Sequence, residues 1–471
     1  MLSLREVATL VHGDLAGPGT LADLDALQVS AITTDSRHVP PGSLFVALSG
    51  EHFDGHTFLD DVAARGARAV IVERSRHAPA LPAIAVEDTR HALGDLAAGW
   101  RRRFRMPLVV VTGSNGKTTT KGMIAAILVA AYGENDCWAT RGNFNNDIGV
   151  PLTLLGLRTH HRAAVIEIGM NHPGETARLA EIAQPDVALV VNAQREHQEF
   201  MQSVEAVARE HALAITSLPA GGIAVYPADD AHAHIWKQAA GPRRIVDFAC
   251  ITARDGEAPR AAVTARAYLE VDATVLHLDT PAGATTAKLD VCGRHNAHNA
   301  TAAAAACVAA GIPLDAIRIG LEAFRPTRGR SQRLVLEDGT VVIDDSYNAN
   351  PDSMRAAIDL LASHASPRLM VMGDMGEVGG EGPRVHAEIG AHAREQGIET
   401  LFALGTASRA SIDAFGDGGS HFDTMEPLIA AVERWVAGGG GHGAVVVKGS
   451  RFMRMERVVA VLTGRPDEGA H

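Results

Sequence analysis

The sequence predicts an α/β protein of several domains, built on parallel sheets covered by helices. Three observations carry this reading. From residue 108 onward, strand-like and helix-like runs alternate: LVVVTG, a helix from Thr118, AAVIEIG, a helix near 174–183, and DVALVVN. Strands separated by helices in this way pair in parallel. A second such series begins near residue 326, with TVVIDDS, PRLMVMGDM, TLFALG and GAVVVKGS as its strands. The length of 471 residues suits about two to four domains.

In chain order, residues up to about 100 mix short strands with turns: AITTDSR, PPGSLFVAL, a helix near 57–66, and the strand ARAVIVE. A basic cluster from Arg101 to Arg105 leads through Pro107 into the Val-rich strand. Around 260–292 the pattern shifts to alternating strands, and NAHNATAAAAACVAAG then reads as a helix stopped by Gly311. GDGGS and GGGGHG are expected to be surface loops, because glycine runs resist packing. No internal repeat is visible.

Composition narrows the function classes. Hydrophobic content of 46% and charged content of 21% are those of a globular protein. The net charge of −12 argues against a general nucleic-acid or polybasic membrane binder, so anionic ligands need local basic pockets. Only five lysines occur, and two of them, Lys117 and Lys448, each sit beside a glycine after a Val-rich run. In an Arg-rich chain that placement suggests a compact point charge is wanted there. The four cysteines lack C-x-x-C spacing, which disfavours zinc and a disulfide framework. MLSLREVATLVHGDL has no apolar core of a signal peptide, and the alanine tract 302–310 is too short to span a bilayer. A cytoplasmic protein is expected.

The most specific stretch is VVVTGSNGKTTTKGMIAAIL, residues 109–128. Strand, Gly-rich turn and helix in that order suit a polyphosphate, because amide groups at a helix N-terminus face the anion. The loop is shorter than the usual G-x-x-x-x-G-K-[ST], since Val111 stands where its first glycine would be. Amides of Gly113, Ser114, Asn115, Gly116, Lys117, Thr118 and Thr119 would cradle phosphates. Lys117 would neutralise β/γ oxygens and Thr118 would hold Mg²⁺.

Glu167 ends an apolar strand, at the edge where open α/β sheets bind ligands, and its carboxylate suits Mg²⁺. Asn192 and His197 follow a similar strand. Asn296 and Asn299 lie one turn apart beside His295, either as ligand contacts or as a helix cap and polar surface. Arg328, Arg330 and Arg333 read as a phosphoryl clamp or a solvated face. Asp344 and Asp345 end a strand before an Asn-rich turn, as nucleotide or metal contacts or as a plain Asx-turn.

TGSNGKTT, RGNFNNDIGVPLTLL, EIGMNHPGE, GRHNAHN and DDSYNANPDSM, in this order, resemble the Mur ligase family. TDSRHVPPGSLFVALSGEHFDGHTF and VVVKGSRFMRME extend the resemblance to nearly the whole chain. The resemblance implies a small α/β UDP-sugar-binding domain over 1–104, a central P-loop ATPase-like parallel sheet over 105–325, and a C-terminal Rossmann-like domain over 326–471. It implies an ATP- and Mg²⁺-dependent amide ligase of peptidoglycan precursor synthesis. ATP would phosphorylate the terminal carboxylate of UDP-N-acetylmuramoyl-tripeptide, and the amine of D-alanyl-D-alanine would attack the acyl phosphate. The partners are those two substrates, with no nucleic acid and no membrane span, and the chain is expected to act as a monomer.

By the same resemblance, Lys117, Glu167, His197 and Arg330 are the catalytic candidates, and Thr118, Glu167 and His197 form the metal shell. His295, Asn296, Asn299, Arg330 and Asp345 are nucleotide contacts. Asp35, Ser36, Arg37, Asp54, Gly55 and His56 belong near the UDP moiety. Thr140, Arg141, Gly142, Asn143, Asn145 and Asn146 face the muramoyl-peptide, and Asn348 and Asn350 the dipeptide.

One departure stands out. Mur ligases typically carry a carbamylated lysine some fourteen residues after the motif histidine, where it helps to hold a second Mg²⁺. Counting from His197 reaches His211, which forms no stable carbamate. A second shell would then need Glu210, His211 or water; otherwise His211 is one more polar residue on an amphipathic helix. Two rival ligases fit less well. The one that adds the third amino acid should show HTP and NPR motifs, and folylpolyglutamate synthetase lacks the N-terminal domain. A P-loop switch that hydrolyses ATP without ligation is the remaining alternative.

Overall fold

Leu108–Thr112 is a fully buried strand of β-formers, and its neighbours explain why it has no polar face. It lies inside a six-stranded sheet, between Ala163–Glu167 on one side and Val187–Val190 on the other. Cys137–Ala139 flanks the first of these, Ile223–Val225 and Arg244–Ile245 continue beyond the second, and every pairing is parallel. Helices cover both faces, so the strands read as continuous apolar runs. The register sets Val111 opposite Glu167 and Thr112 opposite Val190. The phosphate loop, Glu167 and the segment after Val190 therefore share one carboxyl edge, at the point where the strand order reverses.

The computed structural model describes residues 2–50, 53–76, 80–253, 255–256, 259–438 and 442–465. A four-stranded sheet follows the central one: Phe248–Thr252, Val263–Leu269, Thr274–Thr280 and Gly283–Leu289, the last three antiparallel. The Ala-rich helix Arg294–Ala309 shares one core with apolar residues of both sheets and with Met123, Ile124, Ile127 and Leu128 of the helix Lys117–Tyr132. It is buried on almost every side, and small side chains let it sit close to all three neighbours.

The N-terminal unit is a five-stranded sheet with Ala69–Glu73 at its centre. Its helix Thr89–Arg101, absent from the sequence reading, starts at the N-cap Asp88. Arg101 from the basic cluster is buried rather than solvated. It donates to the carbonyls of Ala183, Gln184 and Phe104 and pairs with Asp186 at 3.1 Å, which ties this unit to the central one.

The C-terminal sheet has six strands in the order Gln332–Val335, Val341–Asp345, Ala444–Lys448, Arg368–Gly373, Thr400–Leu404 and Gly419–Phe422. All but the first pair in parallel. The expectation of a loop at GDGGS is corrected in part: Gly419 and Ser420 begin the edge strand, because pairing with Leu401 and Phe402 satisfies their backbone. Residues 439–441 of GGGGHG lie outside the described residues. Among the described residues, no helix is long and apolar enough to cross a membrane.

Candidate active site

The phosphate loop owes its shape to two glycines and to the neighbouring strand end. Gly113 and Gly116 take φ of 136° and 81°, which L side chains rarely adopt. A Cβ at Gly116 would lie 2.2 Å from Asn299 Oδ1, so glycine is also the residue that lets this asparagine close on the loop. Asn192 clamps the other side: its Oδ1 accepts from Asn115 N at 2.9 Å and its Nδ2 donates to Asn115 O at 3.0 Å. Lys117 folds back over the turn. Its ammonium donates to Gly113 O, to Ser114 O at 3.1 Å and to Glu196 Oε2 at 3.4 Å.

Glu167 is 1% exposed at the end of its strand. Its Oε1 accepts from Thr118 Oγ1 at 3.1 Å and Asn145 Nδ2 at 2.9 Å, while Oε2 is buried with no hydrogen-bond partner. A buried carboxylate oxygen with no donor is costly, and a cation beside Thr118 would satisfy it. Thr140 supports this strand end: its Oγ1 accepts from Glu167 N at 2.9 Å and its carbonyl from Lys121 Nζ at 2.9 Å. Burial pushes the Lys121 ammonium below its usual range, against the opposing pull of Glu167.

Glu196 also lines the cavity, and sequence reading passed over it although it stands next to His197 in REHQ. It is 6% exposed. His211 Nε2 lies 3.0 Å from its Oε1, and His211 Nδ1 lies 3.0 Å from Thr112 Oγ1. Burial would raise the Glu196 carboxyl, but Lys117, His211 and His197 together outweigh it and hold the group down at about 2. His211 is fully buried, so the reading of it as a surface residue of an amphipathic helix is overturned. Glu210 is occupied elsewhere, since it accepts from Gly174 N and Thr176 N at the start of the helix Glu175–Ala183.

The C-terminal unit closes the far side. Asp344 and Asp345 divide the work. Asp344 turns inward and holds Gly329 N at 3.0 Å and Ser346 Oγ at 2.6 Å, and burial raises its carboxyl. Asp345 faces the cavity, paired with the Lys448 ammonium and accepting from Ser331 N at 2.9 Å. Arg330 stacks on the Tyr347 ring at 3.8 Å and lines the cavity, whereas Arg333 is exposed outside it. Contacts that bridge to the central unit include Asn115 with Asn350, His197 Nδ1 with Glu377 Oε2 at 2.7 Å, Glu199 N with Glu377 O at 3.3 Å, His295 Nε2 with Ser331 Oγ at 3.4 Å, and Arg195 with Asp352 and Glu388. His197 and Glu377 both have positive φ, 48° and 59°, conformations that persist only where surrounding contacts enforce them.

The phosphate loop, Glu167, Glu196, Arg330 and Asp345 line one cavity of about 1220 Å³. Single small-molecule pockets run to about 300–1000 Å³, so this one has room for more than one reactant. Ser114 to Thr119, Asn143, Asn145, Asn146, Glu167, His197, His295, Asn296, Asn299, Arg330, Asp345, Asn348 and Asn350 line it. The lining does not include Gly113, Thr140, Arg141 or Gly142, nor Asp35, Ser36, Arg37, Asp54, Gly55 or His56. Several of these contact one another: Arg37 Nε donates to Asp35 at 2.9 Å, and His56 Nδ1 lies 2.7 Å from Asp54. Arg141 sits over the Trp138 ring at 5.3 Å. Among the described residues, no three His, Cys, Asp or Glu side chains form a ready-made metal site.

Comparison with known proteins gives three consecutive matches. Residues 28–101 match the Mur ligase family catalytic domain, 111–307 the Mur ligase middle domain, and 329–451 the Mur ligase glutamate ligase domain. The chain is 38% identical to the UDP-N-acetylmuramoyl-tripeptide–D-alanyl-D-alanine ligase of Escherichia coli K12 over 462 residues, 98% of each chain. A crystal structure of MurF from Acinetobacter baumannii superposes with a TM-score of 0.89 at 33% identity, over 98% of each chain. The MurF ligase of Thermotoga maritima in complex with ADP gives 0.80 at 25% identity, over 92% of this chain and 97% of that one.

Proposed function

The chain belongs to the Mur ligase family, and from that premise we propose that it joins D-alanyl-D-alanine to UDP-N-acetylmuramoyl-tripeptide. It is an ATP-dependent ligase. The observation that carries the substrate reading is a single cavity lined by the phosphate loop, the Asn143–Asn146 segment and the Asn348–Asn350 turn. Nucleotide, acyl donor and amine can therefore meet without leaving it. We assign 1–104 to the UDP-sugar, 105–325 to ATP and ligation, and 326–471 to the nucleotide and the dipeptide.

The chemistry needs two anions to meet. The tripeptide carboxylate attacks the γ-phosphorus of ATP, ADP departs, and the acyl phosphate becomes a competent electrophile. The free amine of D-alanyl-D-alanine then adds to the acyl carbon, loses a proton, and phosphate leaves as the amide forms. Lys117 holds the β/γ-phosphate oxygens as a point charge, and Arg330 is within the cavity to offset charge on the transferring group. Thr118 and Glu167 would hold Mg²⁺, and the partnerless Glu167 Oε2 fits that role, with His197 as a further candidate ligand. When bound, Mg²⁺ neutralises phosphate charge. Asp345, fixed by Lys448, and His295, Asn296 and Asn299 are suited to nucleotide contact. Asp35, Ser36, Arg37, Asp54, Gly55, His56, Thr140, Arg141 and Gly142, outside the cavity lining, are proposed to act through the UDP-sugar and the loop that carries it. The reaction is placed in the cytoplasm, with the chain acting as a monomer.

The test is phosphate release. Release that requires UDP-muramoyl-tripeptide and D-alanyl-D-alanine together with ATP supports ligation. Release from ATP alone at the same rate would make the chain a nucleotide switch.

A further inference from the structure

Glu196 contributes to the phosphate site but belongs to none of the roles above. Its two oxygens are used unequally. Oε1 is held by His211 Nε2 at 3.0 Å, and with that nitrogen donating, His211 Nδ1 accepts the Thr112 hydroxyl at 3.0 Å. Since His211 is fully buried and spans from Thr112 to Glu196, the carboxylate is fixed from behind by the strand that leads into the phosphate loop. Oε2 lies beside Lys117 and His197, both of which line the cavity. Its neighbours are Lys117 Nζ at 3.4 Å and His197 Nε2 at 3.9 Å, both longer than the roughly 2.7–2.9 Å of a good charge-assisted bond.

Lys117 cannot serve two anions at once. Its ammonium already donates to Gly113 O and Ser114 O, so Glu196 and an incoming phosphate compete for what remains. Phosphate that wins Lys117 leaves Glu196 Oε2 as a buried charge beside another anion, which is strongly unfavourable unless a cation replaces the lysine. A divalent ion held by Oε2 beside the phosphate would remove both penalties. Mg²⁺ is commonly held this way, by one or two carboxylates with phosphate and water completing the shell. A site finished by the nucleotide also accords with the lack of any ready-made three-residue metal cluster among the described residues. Glu167 has partners of its own: its Oε1 accepts from Thr118 and Asn145, and its Oε2 has no partner.

We infer that Glu196, fixed by His211, is a further cation-binding carboxylate of this site, engaged once a nucleotide draws Lys117 away. The inference rests on the reading of the loop as a nucleotide site. The test uses the full chain with Mn²⁺ as probe, counted by electron paramagnetic resonance with and without a non-hydrolysable ATP analogue, whose own binding is measured separately. The unmodified chain is expected to hold two Mn²⁺ per bound analogue, and Glu196→Gln and Glu167→Gln one each. His211→Ala should leave the first ion unchanged and weaken the second by about tenfold, as expected for loss of a group that orients a ligand. If Glu196→Gln fails to fold, the His211→Ala titration decides. Two ions of unchanged affinity in either folded variant, or one ion in the unmodified chain, overturns the inference. Two ions together with weaker analogue binding in Glu196→Gln would also overturn it, by limiting Glu196 to holding Lys117. Failure of the analogue to bind the unmodified chain would instead count against the nucleotide reading.

Discussion

Asn115 of the phosphate loop and Asn350 at the head of the helix Pro351–Ala362 exchange two side-chain hydrogen bonds, at 3.2 and 2.9 Å. Each amide donates to the other's carbonyl across the cleft between the central and C-terminal sheets. Arg195 reinforces the same seam, with Nη2 at 2.7 Å from Asp352 and Nη1 at 2.9 Å from Glu388.

These bridges are polar and border the cavity, so they can break and re-form as reactants enter. An acyl phosphate is water-sensitive, which calls for closure over it. Small-angle scattering should show compaction when ATP analogue and UDP-substrate are added together. Arg195→Ala should reduce that compaction and lower kcat by roughly fivefold to tenfold, equivalent to about 1–1.4 kcal/mol. Identical scattering curves with and without ligands would count against a moving C-terminal unit.

Lys117→Ala should abolish ligation while leaving the fold intact. The ammonium bonds to loop carbonyls and Glu196 and supports no apolar core contact. A loss of at least about 10²–10³ in kcat is expected for removing one preorganised group from the charge-bearing centre. Near-normal turnover at saturating ATP, in a variant with an unchanged melting curve, sinks the assignment.

Glu167→Gln should shift the Mg²⁺ activation curve to higher concentration and slow acyl-phosphate formation more than UDP-substrate binding. The neutral amide can still accept from Thr118 and Asn145, so the change isolates the charge on the partnerless oxygen. An activation curve that superposes on that of the unmodified enzyme removes Glu167 from the metal shell.

Bicarbonate depletion should leave turnover unchanged. Fourteen residues after His197 stands His211, and both of its ring nitrogens face protein partners, Thr112 and Glu196. Loss of activity on depletion, restored by added bicarbonate, would mean that a carbamate forms elsewhere in the site.

Acid should weaken the C-terminal unit through two buried histidines. Burial lowers the pKa of His386 and of His364 below the ordinary 6.5, and His386 already accepts from Met375 N at 2.9 Å as a neutral ring. The folded state thus binds these protons less readily than the unfolded chain. Their stabilising contribution is complete above about 6.5 and declines as pH falls from there toward the folded values. Melting temperature should drop between about pH 7 and pH 5, and less steeply in His364→Gln. A slope unaltered by the substitution would assign the acid sensitivity to other groups.

Much of the fold was legible because it is written locally. The runs 108–112, 163–167 and 187–190 are apolar on both faces, and Gly113 and Gly116 mark the positive-φ turn that must follow the first of them. Local chemistry also placed Glu167 at a strand end, whereas the cap that Asn350 makes on the helix Pro351–Ala362 came only with the structure. The edge strand Gly419–Phe422 was misread because its glycines are held by pairing with Leu401 and Phe402, a distant segment.

What sequence alone determined is the alternation of strands and helices, the glycine-bent phosphate loop and the residues at strand ends, since backbone sterics and apolar periodicity act over a few neighbouring residues. What the tertiary structure decided is which of those polar residues share a charge. Glu196 meets Lys117 from 79 residues away, and Arg195 meets Asp352 from 157. Asp344 and Asp345, adjacent in the chain, take opposite fates, one holding a turn and the other facing the cavity with Lys448. A carboxylate's role depends on burial and on which cations lie within a few ångströms, and both are fixed only when separate sheets pack edge to edge around the cavity.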